Sequence, residues 1–280
     1  MTTVGFVGLG RMGGAMAAHL VDAGHRVLGV DPSSVAQETA KTSGVEVVGS
    51  LSDLNVPVVM SSLPGDAEVR QVYLGGLFDV VEPGAVCIDL STIGVGTSQQ
   101  IGAGAAKAGH RFLDCPVSGT SVHARAGTLA VMAGGEPDDV KEAEPLLKTF
   151  ASSVHHVGPN GAGLEMKLIT NRLLNAHLVA IAEAIVEMED AGLDTASCLE
   201  LLRQSAVPRL LDYKTGPMSE RDHSPLFSVD LMAKDLGLAD DRRPAGSVTE
   251  AAAAILRRAR DHGWGPSDIS AVIEVVSPLP

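Results

Sequence analysis

Aromatic side chains are nearly missing from this chain: five Phe, two Tyr and one Trp make up 3% of its 280 residues. Its core therefore has to be filled by Val, Leu, Ile, Ala and Met, and a hydrophobic content of 45% is enough to do so. Cysteine is sparse as well. Cys87, Cys115 and Cys198 are scattered, with no CxxC pair and no metal-ligand spacing. An odd, sparse set fits a reducing cytoplasm better than a disulfide framework. Positive charge is short: 21 Lys and Arg against 34 Asp and Glu leave a formal net charge of −13. Such a balance argues against non-specific binding to nucleic acid or to an anionic membrane. It does not make the ligand cationic, because local charge can oppose net charge. No apolar run free of charge reaches about 18 residues, so no membrane-spanning helix is expected. The opening "MTTVGFVGLG" runs straight into a strand, without a basic stretch followed by an apolar one. These absences together point to a soluble cytoplasmic protein.

The chain has two halves with different periods. Up to about residue 158, short β-branched runs alternate with helical stretches. Strands are expected at Val4–Val7, Arg26–Val30, Val45–Val48, Val58–Ser61, Val86–Asp89, Arg111–Asp114, Leu129–Ala133 and Val154–Val157. Amphipathic segments such as Arg11–Ala23, Asp66–Leu74 and Thr97–Ala108 lie between several of them. This alternation reads as a mostly parallel sheet covered by helices on both faces. The stretch "VGPNGAG" then punctuates the chain. Beyond it the patterns are helical: Leu164–Asp190, Thr195–Gln204, Ser228–Asp240 and Thr249–His262. The first of these is apolar on most sides, so it is buried and placed between two domains. The expected architecture is an α/β domain over residues 1–160 and an all-α domain over 161–280, joined by that long helix.

Two local patterns carry chemistry. In "VGFVGLGRMGGAMAAHL", Gly8, Gly10 and Gly13 stand in GxGxxG spacing between an apolar strand and a helix. Gly8 allows the tight turn, Gly10 admits a pyrophosphate to the backbone, and Gly13 lets helix and strand approach. The helix N-terminus then offers free N–H groups to the anion. Asp31 ends the second strand about 20 residues on, where a carboxylate accepts from ribose hydroxyls. The first domain is thus expected to be a Rossmann-type dinucleotide-binding domain. NAD is favoured over NADP, because a 2′-phosphate near Asp31 would be repelled and "DPSSVAQ" offers no Arg to hold it. The second pattern is "GAGLEMKLITN", where Leu164, Lys167, Leu168 and Asn171 share one helical face. An ammonium and an amide on a buried stripe suit a face that borders a cleft closed by the two domains. Hydride transfer from an alcohol carbon needs a base for the hydroxyl proton, and burial disfavours a lysine's charged form.

Six stretches stand in the order expected of the β-hydroxyacid dehydrogenases: "GFVGLGRMGGAMA", "SSLPGDAEV", "CIDLSTIG", "DCPVSGTSVHARAGTLAVMAGGE", "GAGLEMKLITN" and "FSVDLMAKDLGLA". The chain resembles that family, which includes 3-hydroxyisobutyrate dehydrogenase and tartronate semialdehyde reductase, over nearly its whole length. The resemblance implies roles for single residues. Leu9, Arg11 and Met12 would line the cofactor with the three glycines and Asp31. Leu63 and Pro64 would border it, and Thr92 would sit on its ribose–nicotinamide side. Ser118 and Gly119, with Thr120 beside them, would hold the substrate carboxylate. Lys167 would be the general acid/base, Asn171 would orient the substrate, and Lys234 would reach towards cofactor and substrate. The implied reaction interconverts a small β-hydroxy acid and its semialdehyde, in a homodimer or homotetramer.

Thr120 and His123 depart from the small residues usual in the substrate loop, so substrate identity does not transfer with the resemblance. His123 and Arg125 could bind a second anionic group or simply face solvent. Cys115 reads as a packing residue, His155 and His156 as a strand end without metal partners, Asp194 as a helix N-cap, and "DDRRPAG" (240–246) as a solvated helix end. An imine reductase of the same fold is the alternative enzyme, but such relatives usually carry Asp or Tyr where Lys167 stands. A non-catalytic nucleotide sensor would be expected to have lost that lysine.

Overall fold

The computed structural model describes residues 1–204, 208–238 and 248–276. The chain divides into two compact units, Met1–Lys167 and Leu168–Pro280.

The first unit is built on one nine-stranded sheet: β1 (Thr3–Val7), β2 (Arg26–Val30), β3 (Glu46–Val47), β4 (Val58–Ser61), β5 (Val86–Asp89), β6 (Arg111–Asp114), β7 (Val117–Ser118), β8 (Leu129–Gly134) and β9 (Ala151–Gly158). The strand order is β3-β2-β1-β4-β5-β6-β8-β7, with β9 beside β8. The first six strands are parallel, and β8 runs antiparallel to β6 and β7. All four residues of β4 and of β5 are buried, as expected of strands covered on both faces. The period of two sorts their side chains. Val58, Met60, Val86 and Ile88 face a core with Phe6, Met16 and Leu20, while Val59 and Cys87 face another with Val69 and Ile101. Three of the few aromatics meet in that second core, where the Tyr73 ring lies 5.4 Å from Phe112 and 5.7 Å from Phe78. Helices α1 (Gly13–Asp22), α2 (Ser34–Thr42), α3 (Asp66–Tyr73), α4 (Val95–Lys107), α5 (Ser121–Arg125) and α6 (Pro137–Leu147) connect the strands. The order turns back at β1, with β2 on one side and β4 on the other. That reversal opens a crevice beyond the strand ends where ligands of such sheets bind.

Helix α7 (Ala162–Asp190) begins in the first unit and continues through the second. The second unit adds α8 (Thr195–Arg203), α9 (Pro208–Glu220), α10 (Val229–Gly237), α11 (Val248–Ala259) and α12 (Ile273–Val276). Leu178, Ile181, Ala182 and Ile185 of α7 pack with Leu199, Met232, Leu236, Leu256 and Ile273. Among the described residues α7 is the one helix long and apolar enough to cross a membrane, yet this stripe is the unit's own core. A buried ion pair adds to it: Lys214 Nζ lies 2.7 Å from Asp268 Oδ1. Asp194 caps α8, accepting from the Ser197 N–H at 3.1 Å.

Several details differ from the expectations. β7 is an added two-residue strand. The helix expected to run to His262 leaves α geometry at Ala259 and widens over Arg260–Trp264, where Gly263 has φ +91. The stretch 240–246 lies outside the described residues.

Candidate active site

Because β1, β2, β4 and β5 are parallel, Gly8–Gly13, Asp31, Leu63–Pro64 and Thr92 follow their carboxyl ends on one edge of the sheet. Gly8 has φ +91, and a Cβ there would overlap the Ser62 carbonyl oxygen. A Cβ at Gly13 would overlap the Gly8 carbonyl oxygen, whereas one at Gly10 would meet nothing within 4 Å. Packing thus demands two of the glycines, and open room above the third leaves space for a pyrophosphate. No side chain caps the N-terminus of α1, and although the Gly14 N–H donates to the Gly10 carbonyl at 2.8 Å, that helix end is open to an anion. These residues fit a dinucleotide.

Asp31 does more than present a charge. Its Oδ2 accepts the Leu9 N–H at 2.7 Å and its Oδ1 accepts the Ser33 N–H at 2.7 Å. One carboxylate therefore ties the phosphate loop to the start of α2. The loops after β4 and β5 are tied as well, since the Leu63 N–H donates to the Ser91 hydroxyl at 2.8 Å. Ser91 in turn donates to the buried Asp89 at 2.6 Å.

The substrate loop resolves the two residues that depart from the family pattern. Thr120 caps α5, and its N–H and hydroxyl lie 3.2 and 3.1 Å from His123 Nδ1. The two residues form a capping box with His in place of the usual Glu or Gln, so one departure accounts for the other. An Nδ1 that accepts from a backbone N–H is committed to that cap. Ser118 is half-buried at the end of β7, and Gly119, His123 and Arg125 are exposed. Cys115 is buried, which pushes its thiol well up and keeps it from acting as a nucleophile.

The start of α7 is fastened by Asp114. Its carboxylate accepts from the Gly161 N–H at 2.7 Å, the Leu164 N–H at 2.9 Å and Asn160 Nδ2 at 3.0 Å. Lys167 follows one turn later and is 9% exposed. Asn171, 2% exposed, shares that face of the helix. In the second unit, Asn171 Nδ2 donates to Asp235 Oδ2 at 2.7 Å, and Lys234 Nζ lies 2.9 Å from Asp235 Oδ1. Asp235, which sequence reasoning passed over, thus fixes the Asn171 amide by its nitrogen. Asn175 extends the stripe by another turn, fully buried, with neither amide atom hydrogen-bonded. An orphaned buried amide is destabilising, so Asn175→Leu is expected to raise stability by about 1–3 kcal/mol. Chemical denaturation would measure this, and an unchanged or lower midpoint would show that the amide finds a partner in solution.

Comparison with known proteins bears on this site. Residues 3–158 match the family model described as the NAD binding domain of 6-phosphogluconate dehydrogenase. Residues 161–276 match the one described as NAD-binding of NADP-dependent 3-hydroxyisobutyrate dehydrogenase. A probable 3-hydroxyisobutyrate dehydrogenase of Mycobacterium tuberculosis is 37% identical over 294 positions, covering 99% of this chain and 98% of that protein. The chain belongs to the β-hydroxyacid dehydrogenase family. An NAD-dependent L-serine dehydrogenase of Pseudomonas aeruginosa is 32% identical, over 99% of both chains. The solved structure of a Mycobacterium tuberculosis 3-hydroxyisobutyrate dehydrogenase with L-serine matches with a TM-score of 0.90 at 35% identity, covering 99% of this chain and 100% of that one. This β-hydroxyacid dehydrogenase is accordingly an NAD(P)-dependent oxidoreductase, in keeping with its glycine loop.

Proposed function

We propose that this enzyme transfers hydride between NAD and a small β-hydroxy acid, such as L-serine or 3-hydroxyisobutyrate, with Lys167 exchanging the hydroxyl proton. The observation that carries this reading is the buried pair Lys167 and Asn171 on one face of α7, whose first turn Asp114 fastens to the sheet. The N–H groups of the Gly8–Gly13 loop, with Leu9, Arg11 and Met12, receive the pyrophosphate, and Asp31 accepts from ribose hydroxyls. Leu63, Pro64 and Thr92 border the nicotinamide side. The bound nicotinamide supplies the hydride acceptor or donor. Ser118 offers a hydroxyl to the substrate carboxylate, and the Gly119 and Thr120 backbone offers N–H groups. Asn171 orients the hydroxyl for Lys167, and Lys234 adds positive charge for the carboxylate.

The test is reduced-nicotinamide absorbance on purified protein against a panel of small β-hydroxy acids and semialdehydes, with NAD and NADP in parallel. Turnover of a β-hydroxy acid supports the reading. Silence across the panel with tight NAD binding would move the weight to an imine reductase or a nucleotide sensor.

Preference for NAD rests on Asp31. A 2′-phosphate about 4 Å from its carboxylate would be repelled by up to roughly 4 kcal/mol at intermediate dielectric, before screening. Asp31→Asn is expected to weaken both cofactors, because the Leu9 N–H loses a charged acceptor, and to raise NADP relative to NAD at least about tenfold. The ratio isolates the charge, and an unchanged ratio would defeat the argument.

A homodimer or homotetramer, active in the cytoplasm, completes the proposal. It is supported by Met166, Ile169 and Leu173, which form an exposed apolar stripe along α7, and by the exposed Leu201 on α8. Light scattering that gives the mass of one chain would overturn it.

A further inference from the structure

Asp89 ends β5 and is 1% exposed, too deep to touch a ligand. Its Oδ1 accepts from the Ser61 hydroxyl at 2.7 Å, the Ser91 hydroxyl at 2.6 Å and the Ser91 N–H at 3.3 Å. The Ser91 oxygen accepts the Leu63 N–H at 2.8 Å, and the Ser61 hydroxyl lies 2.7 Å from the Tyr73 hydroxyl. One carboxylate oxygen therefore gathers the end of β4, the loop through Leu63 and Pro64, and the loop through Ser91 and Thr92. The other oxygen, Oδ2, is buried without a hydrogen bond. An acid is an expensive residue for this place unless its charge strengthens what it holds, because burial alone favours a neutral group.

The titratable groups that face it are Tyr73 from α3, Cys87 from β5 itself, and Asp114 and Cys115 at the end of β6. Burial pushes the phenol and both thiols up, so these three stay neutral near pH 7. Asp114 is engaged by its three donors, and its charge opposes that of Asp89.

We propose that Asp89 is a positioning residue for the cofactor: acting through Ser91, its carboxylate sets the spacing of the Leu63–Pro64 and Thr92 loops and tightens NAD binding when charged. This rests on the reading of those loops as the cofactor border. Hydrogen bonds to a carboxylate are shorter and roughly twice as strong as those to a neutral acceptor. Protonation therefore slackens all three bonds to Oδ1 at once. Burial, partly offset by the serine hydrogen bonds, pushes Asp89 up to about 6. Above that pH the clasp is charged and tight, and below it neutral and slack, so the NAD dissociation constant rises as pH falls through about 6.

The test is calorimetric NAD binding between about pH 5 and 8 without substrate. Wild type is expected to bind with constant affinity at the alkaline end and several-fold more weakly at the acid end. Asp89→Asn keeps the shape and an acceptor but cannot ionise, so its dissociation constant should be flat and close to the acid wild-type value. Ser91→Ala, which cuts the strut while leaving Asp89 in place, should also lose the inflection and should raise the KM for NAD more than it changes kcat. Should Asp89→Asn fail to fold, Ser91→Ala carries the test. An Asp89→Asn protein with wild-type affinity and inflection would overturn the proposal, as would a wild-type pH profile in Ser91→Ala. Absence of NAD binding at every pH would instead overturn the functional reading on which it stands.

Discussion

Replacing Lys167 with methionine is expected to lower kcat by about 10²–10⁴-fold while leaving NAD binding nearly intact. The two halves of that result come from different parts of the chain. Proton exchange at the substrate hydroxyl is assigned to the α7 ammonium, whereas the cofactor is assigned to loops that follow β1, β2, β4 and β5. Methionine nearly matches lysine in length and is a good helix former, so α7 should keep its geometry. Lys167 is 9% exposed, and a side chain of similar length fills the same space. Steady-state kinetics beside an NAD titration would separate the effects. Retained turnover would remove Lys167 from the mechanism. Lost turnover with lost NAD binding would mean that the substitution had disturbed the fold.

The glycine loop was legible because its signal is local. Gly8, Gly10, Gly13 and Asp31 are read from spacing within one strand–helix–strand unit, and the structure places them where that unit predicts. Strands β2, β4, β5 and β6 also stand at the expected bounds, since short buried β-branched runs between turn residues leave little alternative. β7 was missed because two residues cannot show a period. Thr120 and His123 were visible as separate departures from the family, but not as partners. A Thr-x-x-His spacing read as a capping box would have joined them.

The three acids that brace candidate residues, two in the first unit and one in the second, left a fainter trace. Asp89 meets Ser61 from 28 positions away, Asp114 meets Gly161 from 47, and Asp235 meets Asn171 from 64. No periodicity reports such pairs. The signal in sequence is only an acid closing an apolar strand, as in "VCID" and "RFLD", or standing inside an apolar helix. Topology turns that signal into a site: β5 and β6 pair in register with Asp89 opposite Asp114 at their carboxyl ends. One acid then ties the loops through Leu63 and Ser91, and the other the helix that bears Lys167.

For that reason Asp114→Ala is expected to be the most destabilising single change near the site. Alanine would leave the buried Gly161 and Leu164 N–H groups without their acceptor, while the Asn160 amide would keep only the Ser98 hydroxyl. Each orphaned buried donor is worth about 1–3 kcal/mol, so the loss should reach several kcal/mol even with partial relaxation. Relaxation is restricted, because a Cβ at Gly163 would crowd the Met132 and Asp114 carbonyl oxygens, which shows how tightly the helix start is pressed against the strands. The first turn cannot swing away to find new partners without losing that packing. Asp114→Asn keeps one acceptor oxygen but turns an amide N–H towards a donor, so it should fall between alanine and wild type. Thermal and urea unfolding would rank the three proteins. Equal midpoints would show that α7 does not depend on this carboxylate. The expected order, with kcat falling in step, would show that Lys167 owes its placement to an acid on the sixth strand of the sheet order and 53 positions back in the sequence.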